Sequence, residues 1–225
     1  MRRRLFIAMA TYSGTAMPET QRSLKAALEG LGSKYDYDFV AIAGNCYIDN
    51  TRNMLVQKFL ASKADDMVFV DDDVGFPRDA LTRLRDFSPE IVAGIYPKKC
   101  DPILWPVDLA PNPEVHSEGL IQCLVIPTGL MRIRREVFET LKDRVEEYSV
   151  AGGPMMRAYF KTDIRGRKYW GEDVEFCRLW HEAGGKLWGV ANMPMRHVDK
   201  DGRVFQGNWG PSLLADIKAK LAEAA

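Results

Sequence analysis

The chain has 225 residues, 46% of them hydrophobic, and 31 Lys plus Arg stand against 31 Asp plus Glu. That length can bury most of its apolar surface in one core, so a single domain over residues 1–225 is expected. A formal net charge of zero excludes a protein that holds a polyanion by its global field and leaves only local basic patches for such a task. Cys46, Cys100, Cys123 and Cys177 form neither a dense disulfide framework nor a Cys-x-x-Cys zinc pair, which points to reduced thiols in a cytoplasmic setting.

The basic start Arg2-Arg3-Arg4 and the apolar run after it imitate a signal peptide. The run is shorter than the roughly 7–15 residues such a core needs, so residues 4–10 are read as a first strand. No stretch approaches the ~20 apolar residues of a membrane span. Pro18 opens a helix carrying Leu24, Ala27, Leu28 and Leu31 at helical spacing, and residues 39–43 form a second strand stopped by Gly44-Asn45. Asp49 or Asn50 caps a helix to about Ser62, with Met54, Leu55 and Phe59 inward.

Met67-Val68-Phe69-Val70 is wholly apolar and ends abruptly in Asp71-Asp72-Asp73, as a central parallel strand buried on both faces would. Gly75-Phe76-Pro77 reads as a turn, Ala80, Leu81, Leu84 and Phe87 as a helix, and residues 91–95 as a strand. Four prolines make residues 100–118 an irregular excursion or edge hairpin. Strands at 120–126 and 130–133 follow, joined by Pro127-Thr128-Gly129, and then a helix at 135–141. Residues 149–169 read as a mobile loop, 171–183 as a helix, 187–190 as a last short strand and 211–225 as a C-terminal helix. Strand and helix alternate through the first half, so the expected fold is α/β: a mostly parallel sheet, helices on both faces, and a ligand site outside the carboxyl ends of the strands.

The acidic triple falls at that end. If the strand geometry continues, Asp71 and Asp73 project to one side and Asp72 to the other. Two carboxylates about 4 Å apart repel by roughly 4 kcal/mol at an effective dielectric near 20, a conflict that a shared proton or a cation resolves. Mg²⁺ or Mn²⁺ takes one or two carboxylates plus phosphate oxygens, so the cluster suggests a nucleotide-diphosphate ligand. Of the three histidines, His116 and His181 are read as structural. His197 follows a strand and can complete a mixed oxygen and nitrogen shell, which suits Mn²⁺ better than Mg²⁺. Arg52 and Lys98 stand on the side where a diphosphate would lie, Arg as a bidentate donor and Lys as a point charge. Glu172 and Asp173 open a helix, where negative charge is favoured, and either can serve as general base.

Taken in order, Ile7-Ala8-Met9-Ala10-Thr11, Thr51-Arg52-Asn53, Val68-Phe69-Val70-Asp71-Asp72-Asp73, Val92-Ala93-Gly94-Ile95-Tyr96-Pro97-Lys98, Pro127-Thr128-Gly129-Leu130-Met131, Gly171-Glu172-Asp173 and His197 resemble the GT-A superfamily of glycosyltransferases, especially its small phage and bacterial forms. The resemblance spans about residues 4–207. It implies a single GT-A (Rossmann-like) domain, with a donor-nucleotide half near residues 1–100 and an acceptor and catalytic half near 101–210. It also implies a sugar donor carried on a nucleoside diphosphate, with UDP expected first, and Mn²⁺ or Mg²⁺ bound by Asp73 and His197. Asp71 lies close to metal and donor, and Thr11, Tyr12 and Arg52 hold the nucleotide. Asp173 is the first candidate for the base and Glu172 the second. The third adjacent acid leaves the register open, so Asp72 can replace either neighbour.

The acceptor hydroxyl can belong to a glycan, a lipid, a protein side chain or a hydroxymethylated DNA base, the last favoured by the basic stretches 132–135 and 165–168. Two other classes fit the same acids: a metal-dependent nucleotidyltransferase or phosphohydrolase, and a non-catalytic carbohydrate- or nucleotide-binding scaffold.

Overall fold

A computed structural model describes residues 3–32, 35–150 and 152–213. The apolar start of the chain forms β1 (Leu5–Thr11) and Pro18 opens α1 (Pro18–Leu31). Next come β2 (Tyr37–Ala43), α2 (Ile48–Ala61) and β3 (Asp66–Asp71). Tyr47, not Asp49 or Asn50, is the N-cap of α2, and it gives no side-chain hydrogen bond. Gly75, expected to open the turn Gly75-Phe76-Pro77, instead ends the two-residue strand β4 (Val74–Gly75), which is followed by α3 (Ala80–Asp86) and β5 (Ile91–Gly94).

The proline-rich excursion carries only β6 (Asp108–Leu109) and β7 (Val115–His116), both laid on β8 (Leu120–Val125) at the sheet edge. Then come β9 (Leu130–Arg134) and α4 (Arg135–Leu141). Within residues 149–169, expected as a mobile loop, lie strands of two hairpins, β10 (Glu147–Ser149) with β11 (Met155–Arg157), and β12 (Asp163–Arg165) with β13 (Lys168–Trp170). The second closes through Gly166 and Arg167, whose φ of 55° and 65° suit the twist of a tight hairpin. It leads straight into α5 (Glu172–Glu182) and β14 (Leu187–Val190). β14 is not the last strand, since β15 (Met195–Val198) and β16 (Val204–Gly207) follow. Of the expected C-terminal helix, 211–213 are helical and the rest lies outside the described residues.

The main sheet runs β2-β1-β3-β9-β5-β14-β8-β6, with β7 also on β8. β1 is parallel to β2 and β3, and β5 to β14, while β9 and β8 run opposite to their neighbours. All strands of this sheet but β8 and β9 therefore point one way, so it is mostly parallel in strand direction although most individual pairings are antiparallel. β3 is parallel to its neighbour on one side only. Alternation sorts the core. Phe6, Ala8, Met67 and Phe69 meet Leu55, Phe59, Phe138 and Phe176 of α2, α4 and α5 on one face. Leu5, Ile7, Val68 and Val70 meet Ala27, Leu31, Leu81 and Leu84 of α1 and α3 on the other. Each such large side chain contributes about 1.5–3 kcal/mol by leaving water, enough to fix which way the next residue, Asp71, points.

Two arginines expected on a basic surface work inside. Arg132 is fully buried and donates to the carbonyls of Leu84, Phe87 and Glu90 at the end of α3. Arg135 does the same for Phe59, Leu60, Ser62 and Ala64 at the end of α2. Both satisfy carbonyls that a helix terminus or the turn after it leaves without partners, so these two guanidiniums are already engaged by the chain's own backbone.

Candidate functional site

β1 and β3 end side by side, and their carboxyl ends open into a cavity of about 510 Å³ lined by Thr11, Tyr12, Cys46, Arg52 and all three acids Asp71, Asp72 and Asp73. β3 stops at Asp71, and Asp72 and Asp73 form a turn. The alternation expected to separate Asp72 from its neighbours therefore does not continue, and each acid acquires its own partners.

Asp71 shares the parity of Met67 and Phe69 and faces α2 and α5. There Arg52 Nη2 lies 3.1 Å from Asp71 Oδ1, and Arg52 Nε lies 3.2 Å from Glu172 Oε1. Arg52 is 3% exposed and stacks 5.2 Å over the Phe69 ring. Burial alone would make its guanidinium easier to deprotonate, but Asp71 and Glu172 outweigh that and hold it firmly cationic. Its Nη1 is buried without a hydrogen-bond partner. Arg52 is thus a clamp between the end of β3 and the start of α5, where the sequence suggests a ligand-facing fork.

Asp73 reaches the other way. β4 follows the acidic turn and pairs with β15, placing His197 opposite Val74. His197 Nε2 comes 3.4 Å from Asp73 Oδ2, while its Nδ1 is 2.8 Å from the Pro97 carbonyl. With Nδ1 held on the Pro97 carbonyl, Nε2 is the ring nitrogen turned to the acid side, the one that a divalent ion would take in exchange for the contact with Asp73. The Lys99 ammonium also bonds Asp73 Oδ2. Burial would raise the Asp73 pKa, but His197 and Lys99 more than offset it and the net shift is downward. Lys98 is exposed, and the lysine that meets the acids is its neighbour Lys99.

Asp72 titrates in the opposite direction. Burial, Asp73 and Asp71 raise its pKa, against weaker opposition from Thr11 and Lys99. Thr11 leans on Asp72 without a hydrogen bond of ordinary geometry, and its buried Oγ1 has no partner. A carboxyl whose pKa is raised on folding costs stability once ionised, and this cost appears as pH rises through the folded-state pKa. Asp72→Asn is expected to melt above the wild type at pH 7. The gap should close as pH falls below the ordinary carboxylate range, which thermal melts across pH 3–7 would read.

Tyr96 joins the two halves of the site and carries no signal in the sequence beyond its place after β5. It is 9% exposed, and its ring meets that of His197 edge-on at 4.8 Å. Burial and the nearby Asp71, Asp173 and Asp73 push its phenol well above the ordinary pKa against Arg52, so it stays protonated. A Cβ on Gly129 would lie 2.7 Å from the Tyr96 hydroxyl and 2.9 Å from Asp71 Oδ2. That close approach is why the turn before β9 needs glycine. Glu172 and Asp173 both stand in the first turn of α5. Glu172 is held by Arg52, while Asp173 Oδ1 accepts only the Val174 N–H at 2.8 Å.

Among the described residues no three His, Cys, Asp or Glu side chains converge as a complete metal cage. Asp73 and His197 form a two-donor set of the kind Mg²⁺ or Mn²⁺ completes with water and phosphate oxygens. The residues therefore fit a metal bound together with a diphosphate. Also among the described residues, no helix is long and apolar enough to cross a membrane.

No protein-family model matches the chain, and no curated protein matches it in sequence. Solved structures do. A197 from STIV superposes with a TM-score of 0.55 at 16% identity, over 92% of this chain and 94% of that one. GalNAc-T7, solved with UDP, GalNAc and Mn²⁺, superposes with a TM-score of 0.52 at 13% identity, over 87% of this chain but 44% of that one. At such identities the likeness speaks to architecture alone, an α/β fold with a large, mostly parallel central sheet and helices around it.

Proposed function

We propose that this chain is a glycosyltransferase that moves a sugar from a nucleoside-diphosphate donor, UDP-linked in the first instance, to an acceptor hydroxyl in the cytoplasm, with Mn²⁺ or Mg²⁺ held by Asp73 and His197. The observation that carries the reading is the pairing of His197 with Asp73, which lines a cavity together with Asp71 and Asp72. Arg52 is already committed to two carboxylates, so this rim repels a diphosphate unless a divalent cation accompanies it. The metal, when bound, supplies Lewis-acid stabilisation of the charge that develops on the departing diphosphate.

The chain's own groups do the rest. The first turn of α2, from Ile48 to Thr51, borders the cavity and offers its amino-terminal dipole to the donor's negative charge. Thr11 forms part of the cavity wall against which the nucleotide rests, and the exposed Tyr12 offers it a ring face. Arg52 fixes Asp71 and Glu172 in register, which leaves Asp173 as the carboxylate to accept the acceptor's proton. Residues 1–100 thus supply the nucleotide cavity, and residues 101–210 supply His197 and the base.

The test is product analysis. The chain is incubated with UDP-, GDP- and dTDP-linked sugars and Mn²⁺, and phosphorus-containing products are resolved. Release of nucleoside diphosphate that EDTA stops is the expected result. Pyrophosphate, or nucleoside monophosphate with sugar phosphate, would assign the site to nucleotidyl transfer or phosphohydrolysis instead.

A further inference from the structure

Lys99 stands two residues beyond the buried Tyr96–Pro97 step, and its ammonium bonds the same Asp73 oxygen that His197 Nε2 faces at 3.4 Å. Both partners are only partly open to solvent, 31% for Lys99 and 24% for Asp73. The two-donor set already carries one positive charge supplied by the chain itself. His197 cannot turn away from the contest, because Nδ1 is fixed on the Pro97 carbonyl at 2.8 Å.

We infer that Lys99 is a tethered counter-cation: it occupies Asp73 in the free protein, competes there with a divalent ion, and transfers to the donor's diphosphate when metal and nucleotide enter together. The inference rests on the reading of Asp73 and His197 as metal ligands. An ammonium and a divalent ion on one carboxylate oxygen repel each other, so metal alone binds at the cost of displacing Lys99. A diphosphate brings enough negative charge to partner both cations, and the long flexible lysine stem lets the ammonium follow it. Metal and nucleotide then strengthen each other's binding reciprocally, with Lys99 as the coupling element.

Mn²⁺ binding without nucleotide, followed through the electron paramagnetic resonance signal of the free ion, tests this on the wild type, Lys99→Met, Lys99→Arg and Asp73→Asn. Lys99→Met is expected to bind Mn²⁺ about three- to tenfold more tightly than wild type, the range a partly shielded ion pair and its repulsion imply. Lys99→Arg should stay near wild type and Asp73→Asn should lose the site. With saturating Mn²⁺, Lys99→Met should hold UDP several-fold more weakly. Unchanged or weaker Mn²⁺ binding by Lys99→Met, with the site still lost in Asp73→Asn, would overturn the role of Lys99 and leave the metal reading standing. Mn²⁺ binding indifferent to Asp73→Asn, or absent throughout, would overturn both.

Discussion

On the proposed reading, Asp73→Asn is expected to lower donor turnover by at least about 100-fold and to remove the Mn²⁺ dependence of nucleotide binding, because it strips the charge from a side chain that would hold the metal. The substitution is nearly isosteric, so the turn between β3 and β4 is retained. The Asp73 pKa is lowered on folding, which means the ionised group contributes stability above the ordinary carboxylate range and loses it as pH falls through the folded-state pKa. Asp73→Asn should therefore melt slightly below wild type at pH 7, the opposite of Asp72→Asn. Two adjacent carboxylates with opposite stability signs separate a partnered acid from one held against its own electrostatics. Steady-state kinetics with and without Mn²⁺, set beside melting curves, measure both effects.

Arg52→Met is expected to destabilise the fold by about 2–4 kcal/mol. Removing one member of a buried ion pair typically costs about 3–5 kcal/mol because the partner is left uncompensated, and Asp71 and Glu172, at 22% and 14% exposed, recover part of that from water. In a chain of this size the change corresponds to a Tm lower by roughly 5–15 °C. If Arg52 were instead a ligand-facing fork for diphosphate, the variant would lose nucleotide affinity with little change in Tm. Arg52→Lys should fall between, since one ammonium cannot bridge two carboxylates as a guanidinium does. Thermal melts in the absence of nucleotide decide between the two roles.

Elements with a strong period were legible. β1 and β3 are continuous apolar runs and α2 and α5 carry clear inner faces, so the carboxyl-end location of the acids followed from the sequence. His197 was legible as a candidate ligand from its place after a strand and its pairing with Asp73 from resemblance, but the physical cause of that pairing, two-residue β4 lying on β15, was not, since a strand that short has no period to read. The hairpins at 147–170 were missed for a related reason: each strand has three residues, and the Gly and Arg content reads as loop. Lys98 and Lys99 cannot be told apart by spacing alone, and the choice between them is made by the chain path after Pro97. Burial of Arg52 and Arg132, and the use of Arg135 on the chain's own carbonyls, were hidden because charge predicts a surface. Only the positions of helix ends and neighbouring acids show that their hydrogen bonds are used inside.

The most direct measurement is calorimetric titration of UDP into the wild-type chain, once with Mn²⁺ and once with EDTA. Saturable binding with Mn²⁺ that EDTA abolishes is the predicted result, since the acids at the cavity rim admit a diphosphate only with its cation. Equal binding in both conditions, or none in either, would contradict the account at its centre.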